Sequence, residues 1–153
     1  MRRAPLALIA ALVCAFPVDA GEMRYANPRF GTSVAFPGEI FSRASTPPAN
    51  GDGMTWFSTD GASLAVFGAY NVLSQSPRDL IAEAAGPGIA ITYSRAGKDW
   101  AVVSGTEGAE IFYRRSEFGE DDVVHSLVLR YPVRLKAKYD PLVGSIAASL
   151  DGP

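Results

Sequence analysis

The sequence predicts an α+β fold, in which a mostly antiparallel β-sheet is covered by two or more helices. Four strand-like runs follow residue 88, and they are joined by connections of only a few residues, as in an antiparallel meander. Two other segments carry apolar residues at helical spacing, one before the meander and one after it. No linker or internal repeat divides the chain, so we expect a single domain over residues 21–153.

The segments before the first helix indicate two strand pairs. The run 22–41 is rich in apolar residues on both sides of Asn27-Pro28, a dipeptide that starts turns. Residues 42–53 are rich in proline, glycine and small polar residues, which is typical of a loop. The next run is apolar around Asp60-Gly61, and this pair favours a tight hairpin because glycine accepts a positive φ.

Both helical segments contain start signals. In the first, Ser76 can cap the helix, Pro77 suits its first position, and Gly86 can end it in a left-handed conformation. The second is expected to begin with Asp140 as N-cap and Pro141 at the first helical position, with an additional turn before it. Its apolar stripe, which should lie on the sheet, consists of Leu142, Val143, Ile146 and Leu150.

The first 20 residues have the features of a secretory signal peptide. Arg2 and Arg3 precede the apolar run "APLALIAALVCAF", and Val18-Asp19-Ala20 forms a small-residue cleavage site. The run is too short for a bilayer core of about 30 Å, which requires roughly 20 apolar residues. We therefore expect cleavage after Ala20, no transmembrane span in the mature chain, and a periplasmic or secreted location.

Two other export routes start from the same segment. Lipidation would use Cys14, but the residue before it is the branched Val13, where such sites prefer a small residue. The paired arginines are compatible with twin-arginine export, although the rest of that signal is missing. Ordinary export of a protein without lipid is the favoured interpretation.

The charge and the titratable residues exclude several classes of partner and site. Without its leader the chain has 12 basic and 15 acidic residues, a balance that gives no basic face for nucleic acid. Cys14 leaves with the leader and His125 is the only histidine, so we expect no disulfide and no zinc site. The sequence predicts no cofactor, and its expected partner is a protein or a small anionic ligand of the cell envelope.

Four segments resemble an uncharacterised family of small exported proteins from Gram-negative bacteria. They read "YANPRFGTSVAFP", "PPANGDGMTWFSTDG", "WAVVSGTEGAEIFYRR" and "YDPLVGSIAASL", and they span most of the mature chain. The order of elements also resembles the PsbP and Mog1 type of α/β/α sandwich, a group that includes assembly and partner-binding proteins. The resemblance implies export, this fold and a binding role, and it supplies no catalytic residue.

The stretch "PANGDG" at residues 48–53 is the first candidate site. Asn50 and Asp52 alternate as calcium ligands do, but no glutamate closes the loop at the spacing of an EF-hand. A phosphate cradle would require a helix after the glycines, whereas "MTWFS" reads as a strand. We therefore interpret the stretch as a turn in which Gly51 and Gly53 permit unusual backbone angles, with a weak calcium or partner site as the alternative.

His125 is the second candidate, as the base of a hydrolase. No G-x-S-x-G elbow occurs, and the histidine lies within a strand pattern, so a structural role is favoured. A carboxylate pair for glycoside hydrolysis remains open, because such pairs meet only in the fold. The acidic residues Glu117, Glu120, Asp121 and Asp122 lie around a turn and are interpreted as a solvated loop.

Arg114 and Arg115 are candidates for an anion or partner site. Adjacent strand residues face opposite sides of a sheet, so one of the two should lie on the covered side and pair with Glu107, Glu110 or a carbonyl oxygen. Structural pairing is the favoured interpretation. The aromatic residues expected to pack in the core or on the sheet are Trp56, Tyr70, Trp100 and Tyr113. A basic stripe near the last helix, interpreted as solvated, consists of Arg130, Arg134, Lys136 and Lys138.

Together these residues predict a periplasmic binding or assembly module without catalytic activity. No arrangement of nucleophile, base and metal ligand is visible in the sequence, whereas the sheet and helices form a complete domain without one. The alternative is a small periplasmic hydrolase that uses His125 or a carboxylate pair.

Overall fold

The computed structural model describes residues 21–153, so the predictions of a signal peptide and of lipidation at Cys14 lie outside the described residues. The strands are β1 Glu22–Ala26, β2 Ser33–Pro37, β3 Arg43–Ala44, β4 Gly53–Phe57, β5 Ser63–Tyr70, β6 Ile89–Ala96, β7 Trp100–Glu107, β8 Glu110–Phe118 and β9 Val123–Pro132. The helices are α1 Pro77–Glu83 and α2 Lys136–Ala148, the latter entered through a 3₁₀ turn at Val133–Leu135.

One antiparallel sheet of seven strands dominates the described part of the chain. Its order is β3-β4-β5-β9-β8-β7-β6, and the β1-β2 hairpin forms a separate pair. The predicted α+β class, the meander of the last four strands and the hairpin around Asp60-Gly61 are confirmed. The loop predicted over 42–53 contains the two-residue strand β3, which pairs with β4 and forms one edge of the sheet.

The two helices cover opposite faces of the sheet at opposite ends. Leu127 and Leu129 of β9 pack in the main core with Tyr139 and Ile146 of α2. Val124 points to the other face of β9, where it packs with Leu80 of α1 in a smaller cluster. The β1-β2 hairpin lies on the α2 side, since its buried residues belong to the main core.

The start of α1 agrees with the sequence, and its end does not. Ser76 accepts a hydrogen bond from the backbone N–H of Asp79, whose side chain bonds back to the N–H of Ser76, so a complete capping box precedes Pro77. The prediction that Gly86 ends the helix was wrong. The C-cap is Ala84 in a right-handed conformation, and the left-handed residue in this connection is Gly88, with φ of 79°.

The predicted start of α2 was also wrong. The helix begins at Lys136, so Asp140 is not its N-cap and Pro141 lies inside it. Asp140 has other partners, because it accepts the hydroxyl of Tyr131 at 2.8 Å and pairs with Lys136. Burial of Tyr139 explains why the helix extends back past the proline, which sacrifices one backbone hydrogen bond.

Candidate functional site

A groove of about 650 Å³ opens on the α2 side of the sheet, over the half that α2 does not cover. Three tyrosines from three strands line it, Tyr93 of β6, Tyr113 of β8 and Tyr131 of β9, and we call it the tyrosine groove. The other lining residues are Thr92, Ser104, Gly105, Thr106, Ile111, Val133, Lys136, Asp140 and Val143. Its size falls in the usual range for small-molecule sites, roughly 300–1,000 Å³.

A β-bulge brings Tyr93 into this groove. Ala90 pairs with Thr106 and Ile91 with Gly105, but Tyr93 then pairs with Ser104, so Thr92 is the extra residue. Without the bulge, strict alternation would place Tyr93 opposite Val103, on the face that α1 covers. Bulges often redirect a side chain next to a binding site, and here the bulge adds an aromatic ring to the groove wall.

The end of the groove beside α2 is polar but electrically balanced. The Tyr131 hydroxyl donates to Asp140 Oδ1, and Lys136 pairs with the other oxygen of the same carboxylate. Burial and the neighbouring Asp140 carboxylate raise the pKa of Tyr131, so this phenol stays protonated. Because the lysine and the aspartate neutralise each other, the groove presents no net charge to a ligand.

The middle of the groove combines an aromatic ring with small side chains. Tyr113 is half-buried, and burial raises the pKa of its phenol. The neighbouring Ser104 leaves the space above β7 open, and its hydroxyl donates to the carbonyl oxygen of Phe112 at 2.8 Å. Tyr93 is 49% exposed, so its ring stands at the rim. The groove can therefore stack a flat or apolar group against tyrosine rings.

Asn50 and Asp52 lie outside this groove, in the loop before β4. The Asn50 amide donates to the Asp52 carboxylate at 2.8 Å, and Gly51 between them has a φ of 64°. Arg29 and Asn27 bind the carbonyl oxygens of Asn50 and Gly51, at 2.6 and 2.9 Å. These contacts tie the loop to the β1-β2 turn.

Gly53 does not have the unusual backbone angle that the sequence predicts for it, because its φ is not left-handed. It lies in β4, where an added Cβ would press against the carbonyl oxygen of Val66 and lie 2.6 Å from the Cβ of Phe67. Gly53 is therefore required by the closeness of β5, and Gly51 by its backbone angle.

Arg114 and Arg115 lie on opposite faces of the sheet, and neither pairs with Glu107 or Glu110. Arg115 donates two hydrogen bonds to Glu117, at 2.8 and 2.6 Å, and its guanidinium lies 5.6 Å from the Trp100 ring. Arg114 lies on the α1 side, where Glu83 stands 4.0 Å away. Burial lowers the pKa of Arg114.

His125 is buried on the α2 side of the sheet. Its Nδ1 lies 2.7 Å from the hydroxyl of Thr32, and its Nε2 lies 3.1 Å from the backbone oxygen of Pro153. The ring also fills the space beside Gly152, where an added Cβ would collide with it. The side chain thus connects Thr32, just before β2, with β9 and the segment after α2, and no Asp or Glu side chain among residues 21–153 bonds to it.

The fold distributes the basic residues near the last helix among acidic partners. The supposed basic stripe is divided among carboxylates, because Arg130 pairs with Glu107 and Glu110, and Lys138 pairs with Asp60. Among residues 21–153, no three His, Asp or Glu side chains are grouped as metal ligands. Every buried side-chain polar atom in this range has a hydrogen-bond partner, and none of its helices is long and apolar enough to cross a bilayer.

Sequence reasoning missed the tyrosine groove. Tyr113 was expected only to pack in the core or on the sheet, and Tyr93 and Tyr131 were not singled out. A usable signal exists for two of them, since Tyr113 and Tyr131 fall on the same face once the β8-β9 register is known. Tyr70 does not lie in the core, since it is 55% exposed at the end of β5, but its ring packs edge-to-face on Phe30 over the sheet, with 5.2 Å between the ring centroids.

Comparison with known proteins identifies the architecture. No family model and no curated protein matches the chain. Among solved structures, it is similar to the solution structure of cyanobacterial PsbP (CyanoP) from Synechocystis sp. PCC 6803, with a TM-score of 0.62 over 92% of this chain and 97% of that one. The chain has a PsbP-like fold. Because the sequence identity is 10%, the similarity concerns the fold alone.

Proposed function

We propose that this protein is an exported binding module without catalytic activity, which holds an uncharged, largely apolar or aromatic group in the tyrosine groove. The groove itself carries the proposal, since it combines suitable volume, three tyrosines and a neutralised charge pair. A PsbP-like fold is compatible with such a role, and the contacts of His125 with Thr32 and Pro153 give it a structural task.

The rings supply the affinity and the hydroxyls supply orientation. A flat group stacked on Tyr93 and Tyr113 would gain roughly 0.5–1.5 kcal/mol per ring beyond the effect of burial. Thr106 offers a hydroxyl at the same rim that can donate or accept a hydrogen bond, and the Thr92 hydroxyl, which donates to the carbonyl oxygen of Ser104 at 3.4 Å, can accept one. A strongly charged ligand would lose hydration without finding a free countercharge, because Lys136 and Asp140 already pair with each other.

The binding test uses N-phenyl-1-naphthylamine, an uncharged aromatic dye that fluoresces in apolar surroundings. We expect saturable binding that Tyr93→Ala weakens by about tenfold, as expected for the loss of one stacked ring. Thr106→Trp, which fills the groove, should abolish binding. The matched control is Phe57→Ala, because Phe57 is 39% exposed on the opposite face of the sheet. Unsaturable binding, or equal loss in the control, would contradict the proposal.

The hydrolase alternative is tested separately with a broad panel of ester, amide and glycoside substrates. The binding proposal predicts no turnover above background. Activity abolished by His125→Ala in a variant that still folds would decide for an enzyme.

The location in the periplasm is part of the same proposal, and it is supported by the charged and apolar pattern of residues 1–20. Intact mass of the protein recovered from the periplasm should correspond to a chain that begins at Gly21. A lipid adduct on Cys14, or retention of the first 20 residues, would contradict this part of the proposal.

A further inference from the structure

The turn between β5 and α1 exposes two aliphatic side chains. Val72 is 82% and Leu73 is 75% exposed, and the neighbouring Tyr70 is 55% exposed. The two aliphatic residues occupy the central positions of a β-turn closed by a hydrogen bond from Ser74 N to Asn71 O. Glycine, proline, asparagine and aspartate are the usual residues at such positions, so two exposed aliphatic side chains there depart from the usual turn composition. Such conflicts are expected at functional sites.

The turn is fixed in place by its neighbours. The Asn71 amide donates to the carbonyl oxygen of Gln75 at 2.9 Å and accepts from its N–H at 2.8 Å. The backbone N–H of Asn71 donates to the carbonyl oxygen of Asp122 at 2.7 Å, and Ser74 has a positive φ of 50°. The Val72-Leu73 knob is therefore preorganised, and docking it would require little further ordering of the backbone.

An apolar cleft lies on the same end of the molecule. It has a volume of about 490 Å³ and is lined by Tyr25, Pro28, Pro47 and Met54, with Arg29 at one side. We call it the proline cleft. It flanks one side of the β1-β2 turn, and Phe30 of that turn packs edge-to-face on Tyr70, 5.2 Å between ring centroids, on the side of the knob.

The charges beside the two features are opposite in sign. The loop that is hydrogen-bonded to the knob contains three consecutive acidic residues, Glu120, Asp121 and Asp122. The charged residue that lines the proline cleft is Arg29. Arg29 also borders Glu120 and Asp121 within one molecule, so it lies between the knob and the cleft. A partner for the knob should offer an apolar cleft with a basic side chain beside it, and the proline cleft has Arg29 in that position.

We propose that the knob of one copy inserts into the proline cleft of a second copy, and the reverse, to form a two-fold symmetric dimer. Because knob and cleft are neighbours on one end, a single two-fold axis can bring both pairs together, and the assembly closes instead of growing into a chain. The tyrosine groove lies elsewhere on the sheet and is not used by this interface.

Analytical ultracentrifugation of the mature protein, from low to high micromolar concentration, tests the proposal. We expect a monomer–dimer equilibrium in the unmodified protein, and a Kd at least about tenfold weaker in the double variant Val72→Ser, Leu73→Ser, since both side chains are buried in the dimer. The exposed Phe57→Ser is the control and should leave the Kd unchanged. A shared melting temperature at a concentration below the Kd, where every variant is monomeric, verifies that they are folded.

A mixing experiment tests the geometry of the contact. Ala26→Trp should fill the proline cleft and weaken dimerisation, because Ala26 lines that cleft. The cleft variant retains its knob and the knob variant retains its cleft, so their mixture should form a heterodimer tighter than either homodimer. The proposal would be overturned if the protein stays monomeric, or if substitution of residues 72 and 73 leaves the Kd of dimerisation unchanged. Monomers that instead float with phosphatidylcholine vesicles through Val72 and Leu73 would also overturn it, in favour of a membrane contact.

Discussion

The two glycines of "PANGDG" should respond to substitution in opposite ways, because each satisfies a different constraint. Gly51 has a φ of 64°, and an added Cβ would meet nothing within 4 Å. Gly53 has no such angle, but its added Cβ would press on the Val66 carbonyl oxygen and approach Phe67. Alanine is therefore strained at the first position and obstructed at the second. Asparagine separates the two effects, because it accepts a left-handed conformation but needs more space than alanine.

The magnitudes follow from these constraints. A left-handed angle costs an ordinary residue about 1–2 kcal/mol, and alanine recovers roughly 0.4–1 kcal/mol by restricting the unfolded chain. Gly51→Ala should therefore destabilise the fold by about 1 kcal/mol, and Gly51→Asn by less. Overpacking costs about 1–3 kcal/mol, and Gly53→Ala should reach the upper end because the obstacle is backbone of β5. Gly53→Asn should cost at least as much as Gly53→Ala.

Urea denaturation of the four variants measures these differences, with an unchanged slope as evidence that the transition midpoint reports the free energy of unfolding. The reasoning fails if asparagine is better tolerated than alanine at position 53, or if Gly53→Ala is milder than Gly51→Ala. It fails equally if asparagine gives no improvement over alanine at position 51.

Three other predictions concern single polar groups. Hydrogen bonds from Lys138, Tyr139 and Ser58 hold the pKa of Asp60 below its ordinary value of 3.8. The stability that this carboxylate contributes is present above pH 3.8 and is lost as the pH falls below that value. Asp60→Asn should therefore reduce the loss of unfolding free energy at acidic pH, as measured by urea denaturation at a series of pH values. His125→Ala should destabilise the fold by about 2–4 kcal/mol in thermal or urea unfolding, since it leaves a cavity and an unpaired Thr32 hydroxyl. Millimolar calcium should not change the melting temperature relative to chelator, either in the original protein or in Asp52→Asn.

Local signals in the sequence were sufficient to predict an element where the residues of a single turn determine its backbone conformation. Asp60-Gly61 predicted a hairpin because the turn requires a positive φ, and Gly61 has a φ of 105°. Ser76-Pro77 predicted the start of α1 because a cap and a first-position proline act within one turn. Asp140-Pro141 has the same pattern of a capping residue followed by proline, yet α2 begins four residues earlier, at Lys136. Burial of Tyr139 in the main core and the contacts of Asp140 with Tyr131 and Lys136 outweighed the capping signal.

The tyrosine groove could not be read from the sequence because two non-local events create it. One is the bulge at Thr92, which reverses the face of Tyr93 and breaks the alternation on which strand prediction depends. The other is the placement of the helices, since α2 packs against β2 and β9 on one face while α1 packs against β6 and β7 on the other. Each helix leaves the opposite half of its own face uncovered. On the α2 side the uncovered half is the one that carries tyrosines and small hydroxyl residues, so the same arrangement that completes the core also leaves the groove open to solvent.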